Sequence, residues 1–371
     1  MVPWKPPLAL RWPRRGPWRG RRCRSTPIAW FVFVGSVVLL TAVVPGCSGH
    51  PVDVSRADDG RTRITAEREL MKTRFRIDAL VADEVAGRTA VDAAFAEVES
   101  LEELLSNWSE TSQISRVNAA AGVQPVVVGD ELMEVLELAL HTSVVTGGAF
   151  DITFASCDGL WSIRDRRIPS PAELDACLDH VDYRRVALDR SATAVYITDP
   201  DTRIGLAGLA KGYRIDRAAA VLERAGIRDY VVDGGGDMRF ATSSPDRPWR
   251  IAVEHPRRAG QALGTLSLTT GAVATSGDYQ WFFERDGVRF HHILDPAIGR
   301  PASRSVSATV LAERAVDADA LATGLFVMGP DAGITLAERL PGVEALIIAP
   351  DLSLHTTSGF PHLVPAPPEG S

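Results

Sequence analysis

Apolar side chains recur along the chain at two spacings, one typical of helices and one typical of strands. Spacings of three and four residues predict helices over 91–105, 132–140, 317–328 and 332–340. Alternating or continuous apolar runs predict strands over 70–80, 185–188, 194–197, 230–232, 249–253, 263–268, 305–311 and 345–348. Two further runs, 281–284 and 288–293, predict a hairpin that turns at 285–287. Strands interleaved with helices predict a mixed α/β fold.

The composition is that of a globular protein with two or three structural lobes. The chain has 371 residues, of which 45% are hydrophobic and 23% are charged. A chain of this length can bury a sizeable core without metals or disulfides. This balance excludes fibrous, fully disordered and multi-span membrane proteins.

Charge divides the chain into a basic start and an acidic body. Residues 1–52 contain eight basic side chains and no acidic one, which leaves 32 basic against 47 acidic residues in the rest. Phosphate contacts need clustered Lys and Arg, so the acidic body argues against nucleic acid as a partner.

The first 47 residues are interpreted as an export segment. Seventeen uncharged residues, 28–44, follow the arginines, and Cys47 lies three residues beyond them, after Pro45 and Gly46. This order is typical of a bacterial lipoprotein signal with Cys47 as the lipidated residue; an uncleaved signal anchor is the alternative. Either one predicts an extracytoplasmic protein that is tethered to the cell membrane.

We therefore divide the chain into a signal or anchor segment at 1–47, a tether at 48–63, a folded domain at 64–350 and a C-terminal tail at 351–371. The domain contains two cysteines, Cys157 and Cys177. An oxidising compartment would permit a disulfide between them, but free buried thiols fit the sequence equally well.

A carboxylate and a hydroxyl lie one helical turn apart in the helix predicted over 317–328. Asp319 and Thr323 are four residues apart and so share a helix face. Both are hard oxygen ligands that suit Mg²⁺. The alternative is a capping acid followed by a buried threonine.

Two glycine-rich segments are candidates for ligand binding. Gly208 begins a turn that carries Lys211 into a predicted helix, where free backbone N–H groups and a cation could meet a phosphate. Asp237 follows three glycines at the end of a strand. An ordinary turn and close backbone packing are the respective alternatives.

Two other segments add a base and an aromatic ring. His291 and His292 are adjacent on a predicted strand, so only one of them can face a given site, where it could act as a general base. A buried, hydrogen-bonded histidine is the alternative. Phe150 and Asp151 follow two glycines in a turn that could hold a flat ring, or whose Phe could pack into the core.

The residue sequences of these segments and their order along the chain resemble those of the ApbE-type FAD:protein FMN transferases. The matching segments are 106–108, 112–118, 148–153, 208–216, 235–237, 274–279, 292–301 and 318–329. The resemblance implies a T-fold-like α/β architecture with mixed sheets and packed helices. It also implies Mg²⁺-dependent transfer of FMN from FAD to a threonine hydroxyl, with release of AMP. The acceptors would be redox proteins with a Ser/Gly-Ala-Thr-type motif.

The resemblance also assigns roles to individual positions. Asp319, Thr323 and the carbonyl of Gly208 match metal ligands, and His292 matches the histidine that would serve as the base. The positions that match or could supply flavin contacts are Met71, Trp108, Ala149, Phe150, Asp151, Lys211, Asp237 and Ile293.

Three departures from the family pattern bear on flavin binding. They are Lys72 in place of a glycine, Gly205 in place of an aspartate and Asp233 in place of an asparagine. Two other functions therefore stay open from the sequence. One is an Mg²⁺-dependent FAD pyrophosphatase, in which water replaces the threonine, and the other is a lipoprotein that binds FAD without catalysis.

Overall fold

The computed structural model describes residues 52–70, 73–105 and 111–366. Its strands are β1 Val52–Arg56, β2 Thr62–Leu70, β3 Thr73–Val81, β4 Val126–Val127, β5 Val186–Asp189, β6 Ala194–Ile197, β7 Asp229–Gly234, β8 Asp237–Ala241, β9 Trp249–Glu254, β10 Ala262–Leu268, β11 Thr270–Gly277, β12 Phe282–Arg285, β13 Val288–His291, β14 Leu294–Asp295, β15 Arg300–Pro301, β16 Ser307–Ala312, β17 Glu344–Ile348, β18 Leu354–Thr356 and β19 Val364–Pro365. Its α-helices are α1 Glu84–Leu105, α2 Gln113–Ala119, α3 Asp130–Val145, α4 Pro171–Leu178, α5 Ala210–Arg224, α6 Ala315–Met328 and α7 Pro330–Ala337. Two short 3₁₀ helices span Ile152–Cys157 and Tyr183–Arg185.

A large antiparallel sheet organises the fold. Within the described residues it has nine strands in the order β1-β2-β3-β7-β8-β11-β16-β17-β18. Side chains alternate between its two faces, as the pleat requires. Ile77 and Val232 pack against the helices on one face. Val231 and Phe240 pack on the other face, with residues of β9 and β10.

A second core lies beneath α3. It joins residues of that helix, such as Leu132 and Leu136, to the small sheet of β4, β6 and β5 and to the turn before α5. Val316 and Ala320 of α6 also belong to this core, whereas Ala318 and Ala322 belong to the core under the large sheet. Helix α6 is therefore buried on both sides, which fixes its axis between the two cores.

The predicted mixed α/β fold is confirmed, with differences at the edges. The hairpin of β12 and β13 turns where the sequence predicts, at Asp286 and Gly287, both with positive φ. The predicted tether at 48–63 is wrong in part, because Val52–Arg56 pairs with β2. The predicted tail at 351–371 is also partly ordered, since β18 pairs with β17 and β19 pairs with β10.

The predicted leader, with Cys47, lies outside the described residues. Within the part of the chain that the structure covers, no helix combines the length and apolar character needed to cross a bilayer.

Candidate active site

Helices α5 and α6 cap each other near their N-termini. The carboxylate of Asp216 on α5 accepts hydrogen bonds from the N–H groups of Ala315 and Val316, at 2.9 Å each. In return, Oδ2 of Asp319 on α6 accepts a hydrogen bond from the N–H of Gly212, at 2.9 Å. Both acceptors satisfy N–H groups that a helix leaves unpaired in its first turn. The two helix starts are thereby held together.

Gly212 permits this close contact. A Cβ atom at this position would overlap the carbonyl group of Ala315 and would lie 2.8 Å from Cα of Val316. Glycine is therefore required at position 212 for the packing of α5 against α6, whether or not a ligand binds there.

Asp319 lies deep between these helices, with 8% of its surface exposed. Burial, reinforced by the negative charge of Asp237, raises the pKa of Asp319 to about 7, and the positive charge of Lys211 opposes this rise. A carboxylate placed here is stabilised when a cation lies beside it.

Thr323 follows one turn later on the same face of α6. Its Oγ1 lies 3.5 Å from the carbonyl oxygen of Asp319 and 3.2 Å from Oγ of Ser276 on β11. Two hydroxyls thus meet where α6 approaches the end of β11, one helical turn from Asp319. The sequence analysis did not identify Ser276, because only the strand pairing places it beside α6.

Phe150 links the glycine-rich turn to this helix. The ring is buried, and a Cβ atom at Gly208 would lie 2.8 Å from its Cε2 atom. A Cβ atom at Gly324 would lie 3.4 Å from Cβ of Phe150. The turn therefore approaches α6 closely, with Phe150 packed between them as a core residue.

Lys211 lies on the same side of α5 as the buried acids. Its Nζ is 2.6 Å from Oδ2 of Asp237, whose Oδ1 accepts a hydrogen bond from the N–H of Thr275. Although burial opposes it, the carboxylates of Asp237 and Asp319 raise the pKa of Lys211. Asp237 follows a two-residue hairpin turn at Gly235 and Gly236, both with positive φ, so this glycine cluster is a turn between β7 and β8.

Asp233 adds a third acid to this group. Its Oδ1 accepts a hydrogen bond from the N–H of Gly236, and burial raises its pKa, with a further contribution from Asp237. One lysine thus faces three carboxylates, those of Asp233, Asp237 and Asp319. A net charge of about −2 on these groups suits a divalent cation.

The two adjacent histidines have different surroundings, and β13 ends between them. His291 is buried, with Nε2 2.9 Å from the carbonyl oxygen of Ala302 and its ring edge-on to Phe326. His292 is solvent-accessible, and its Nδ1 lies 3.4 Å from the carbonyl oxygen of Trp281. A carbonyl can only accept, so Nδ1 carries the proton and Nε2 keeps its lone pair. Partial desolvation of the ring by the surrounding protein lowers the pKa of His292, and the positive charge of Lys211 lowers it further.

His292 and Lys211 line one cleft of about 530 Å³. The residues around it are Thr73, Lys211, Gly235, Gln280, Trp281 and His292. Trp281 lies opposite His292 across the hairpin and is 64% exposed, which is unusual for so large an apolar side chain.

A disulfide-closed loop holds the segment that carries His292. Cys157 and Cys177 form a disulfide, which decides the alternative that the sequence left open. Within this loop, Nε1 of Trp161 donates to the carbonyl oxygen of Gly299, at 2.8 Å, and the Trp161 ring lies 6.0 Å from that of Phe290. The loop thus contacts the chain on both sides of His292.

A second contact fixes the hairpin turn to the same loop. Arg285 Nη2 donates to the carbonyl oxygen of Arg166 at 2.7 Å. Leu174 and Leu178 of α4 pack where a side chain at Gly299 would lie. We name the disulfide-closed loop with these contacts, residues 157–177, the clamp loop.

Two predicted flavin residues have their side chains engaged elsewhere. Both carboxylate oxygens of Asp151 accept local hydrogen bonds, from Thr153 and from the N–H of Tyr183. The Ile293 side chain lies in the core. Ala149 is half-buried beside Phe150. Met71 and Trp108 lie outside the described residues, so their flavin contacts stay predictions.

Another group of potential metal ligands comprises His180, Asp199 and Asp201. Asp199 is already held by Arg185, by His180 and by Thr202, which satisfies its charge. This group therefore serves as an ion-pair network at the end of the small sheet.

Comparison with known proteins gives a consistent result. The ApbE family model matches residues 71–347. The FAD:protein FMN transferase of Treponema pallidum is 34% identical over 290 residues, which cover 73% of this chain and 80% of that protein. The FAD:protein FMN transferase of Vibrio cholerae is 34% identical over 267 residues, covering 70% and 78%.

Solved structures show the same relationship. The ApbE protein of Thermotoga maritima superposes with a TM-score of 0.73 at 31% identity, covering 80% of this chain and 97% of that one. The flavin transferase ApbE of Vibrio cholerae gives a TM-score of 0.71 at 30% identity, covering 81% and 98%. The sequence and the fold agree, and the chain belongs to the ApbE family.

Proposed function

We propose that this protein is a transferase that moves FMN from FAD to a threonine hydroxyl of an acceptor protein. One observation carries the proposal: Lys211 and His292 line one cleft. Lys211 also forms an ion pair with Asp237 and interacts electrostatically with Asp319. Relatives named FAD:protein FMN transferase support the same activity.

The donor set fits Mg²⁺. The carboxylate of Asp319, the hydroxyl of Thr323 and the carbonyl of Gly208 would hold the ion, and all are hard oxygen ligands. The excess of carboxylates over lysine around Asp319 supplies the negative charge that such an ion needs. When bound, Mg²⁺ neutralises charge on the pyrophosphate of FAD.

The residues of this chain supply the remaining chemistry. Lys211 would bind the phosphates, and Nε2 of His292 would accept the proton of the threonine hydroxyl as its oxygen attacks the FMN phosphorus. A phosphoester bond forms, the bridging P–O bond breaks and AMP leaves. Trp281 positions the base, because its carbonyl accepts from Nδ1 of His292.

The mouth of the cleft suits a polypeptide acceptor. Because the threonine must reach His292 from the open side, its chain would pass over Trp281, which is 64% exposed there. An acceptor with a Ser/Gly-Ala-Thr-type motif has small residues beside the threonine, which would permit a close approach.

We also propose that the protein works outside the cytoplasm, tethered to the membrane through Cys47 or a signal anchor. The basic start followed by 28–44 supports this location. The Cys157–Cys177 disulfide supports it independently, since such bonds persist mainly in oxidising compartments.

The test is to incubate the purified protein with FAD, Mg²⁺ and a peptide that carries the acceptor motif. Mass spectrometry should show FMN attached to the peptide threonine, with AMP released in equal amount. A peptide with Thr→Val at the acceptor position is the control and should stay unmodified. Free FMN and AMP without the adduct would indicate a pyrophosphatase, and intact bound FAD would indicate a binding protein; either result contradicts the proposal.

A further inference from the structure

A second cavity lies along β13, the strand that ends at His291. It measures about 430 Å³ and is lined by His291, whereas His292 lines the cleft of about 530 Å³ described above. All four residues of β13, from Val288 to His291, line this cavity, and His292 follows directly after the strand. We name the second one the arginine cavity, after Arg257, Arg289 and Arg300 in its wall.

Charge in the arginine cavity is predominantly positive. Against three guanidinium groups, its wall contains one carboxylate, that of Asp278. Arg257 holds both oxygens of this carboxylate, at 2.6 and 2.8 Å, and Nη1 of Arg289 lies 3.5 Å from it. The acid is thus engaged, and it keeps two of the guanidinium groups fixed in the wall.

Arg300 is the cation left over. Among the residues that the structure describes, no carboxylate lies within ion-pair distance of it. Arg289 has an additional partner in Glu284, at 3.0 Å, but Glu284 is not part of the cavity wall. An anion that entered the cavity would therefore meet an uncompensated guanidinium group.

Ser305 provides an independent sign of a missing partner. The residue is 2% exposed and belongs to the cavity wall, and its hydroxyl has no hydrogen-bond partner among the described residues. Buried polar groups in proteins are nearly always paired. A change of the Ser305 side chain to another rotamer would turn its hydroxyl towards the cavity, where it could donate to an oxyanion.

The rest of the wall is apolar. Phe290, Pro301, Val306 and Pro350 contribute to it, and the volume greatly exceeds that of one phosphate or carboxylate group. We propose that the arginine cavity binds an organic oxyanion, a phosphate or carboxylate group on a small apolar body. This site goes beyond the proposed transferase and does not depend on it.

Isothermal titration of the full chain with phenyl phosphate and, separately, with benzoate, in the presence of a chelator, tests the proposal. We expect saturable 1:1 binding of at least one probe, and the stronger of the two identifies the preferred oxyanion. Arg300→Gln and Ser305→Ala should each weaken it about tenfold, as expected for hydrogen bonds to a charged group. Ser305→Ala removes an unpaired hydroxyl and should not impair folding.

Arg304→Gln is the matched control, because Arg304 is nearby and exposed but is absent from the cavity wall. It changes the net charge as Arg300→Gln does, and it should leave binding unchanged. The proposal is overturned if neither probe binds, if both cavity variants bind as the unmodified protein does, or if Arg304→Gln weakens binding as much as Arg300→Gln.

Discussion

The backbone N–H of Gly212 points at the carboxylate of Asp319, with 2.9 Å between Gly212 N and Asp319 Oδ2. The first turn of α5 is therefore bonded to the second turn of α6, at the residue that we propose as a metal ligand. The geometry of the site depends on how closely these helices approach.

Substitution at Gly212 tests this dependence. Gly212→Ala would force a Cβ atom into the carbonyl of Ala315, so we expect a loss of about 1–3 kcal/mol in the free energy of unfolding. Gly212→Ser should cost more. On helix propensity alone alanine would stabilise by about 1 kcal/mol, so a higher melting temperature for Gly212→Ala would contradict the close contact.

Asp319→Asn should abolish metal-linked stabilisation. The amide keeps an acceptor for Gly212 but removes the charge that a divalent cation needs. With FAD present, Mg²⁺ at a hundred times its dissociation constant should stabilise the unmodified protein by about 2.7 kcal/mol, and the variant far less. Melting temperatures with and without Mg²⁺ measure this difference.

Asp317→Asn is the matched control on the same helix, since Asp317 pairs with Arg314 at 2.8 Å outside the site. It should keep the full response to Mg²⁺. An unchanged response in Asp319→Asn would rule out Asp319 as a ligand.

His292→Ala should slow transfer by about 10²–10⁴-fold, the usual contribution of a general base, while FAD binding is retained. Asp319→Ala should cost more, because it disturbs the metal, the substrate and the leaving group together. His141→Ala, at an exposed position on α3, is the control and should be as active as the unmodified protein. If Asp319→Ala transferred FMN faster than His292→Ala, this ranking would be wrong.

The pH dependence of transfer follows from the environment of His292. The surrounding protein disfavours the imidazolium and lowers its pKa below 6.5, so the neutral base persists to lower pH. At saturating Mg²⁺, which would keep Asp319 ionised, we expect kcat/KM to fall only as pH decreases through a value below 6.5. The residual rate of His292→Ala should lack this step. An acidic limb centred above 6.5 in the unmodified protein would disagree with the cleft geometry.

Trp161→Phe tests the clamp loop. The change keeps a ring beside Phe290 but removes the hydrogen bond to Gly299, which is worth about 0.5–1.5 kcal/mol. We expect kcat to fall a few-fold while KM for FAD stays constant, because the base is displaced and the metal site is not.

Trp249→Phe removes an equivalent bond, from Nε1 to the carbonyl oxygen of Ala241, in a different part of the fold. It should leave kcat unchanged. Equal effects of the two substitutions would indicate general destabilisation instead of positioning.

Local spacing was enough to predict part of the site. The four-residue interval between Asp319 and Thr323 places both on one helix face, and the alternation of His291 and His292 predicts that only one reaches the cleft. The hairpin turn at Asp286-Gly287 was also predicted, because that dipeptide adopts positive φ readily.

What the sequence did not predict depends on tertiary contact. The strand β11 is rich in small residues and β1 is largely polar, so neither has an apolar pattern. The roles of Asp216, Ser276 and Trp161 arise from partners 99, 47 and 138 residues away, respectively. No local pattern encodes such distances.

The Cys157–Cys177 bond has a practical consequence for any study of this enzyme. Protein produced in a thiol-reducing host cytosol would carry His292 on a segment whose neighbouring loop is not cross-linked. Turnover rates of variants should therefore be compared only between preparations that contain equal amounts of free cysteine thiol. Expression with secretion would allow the disulfide to form.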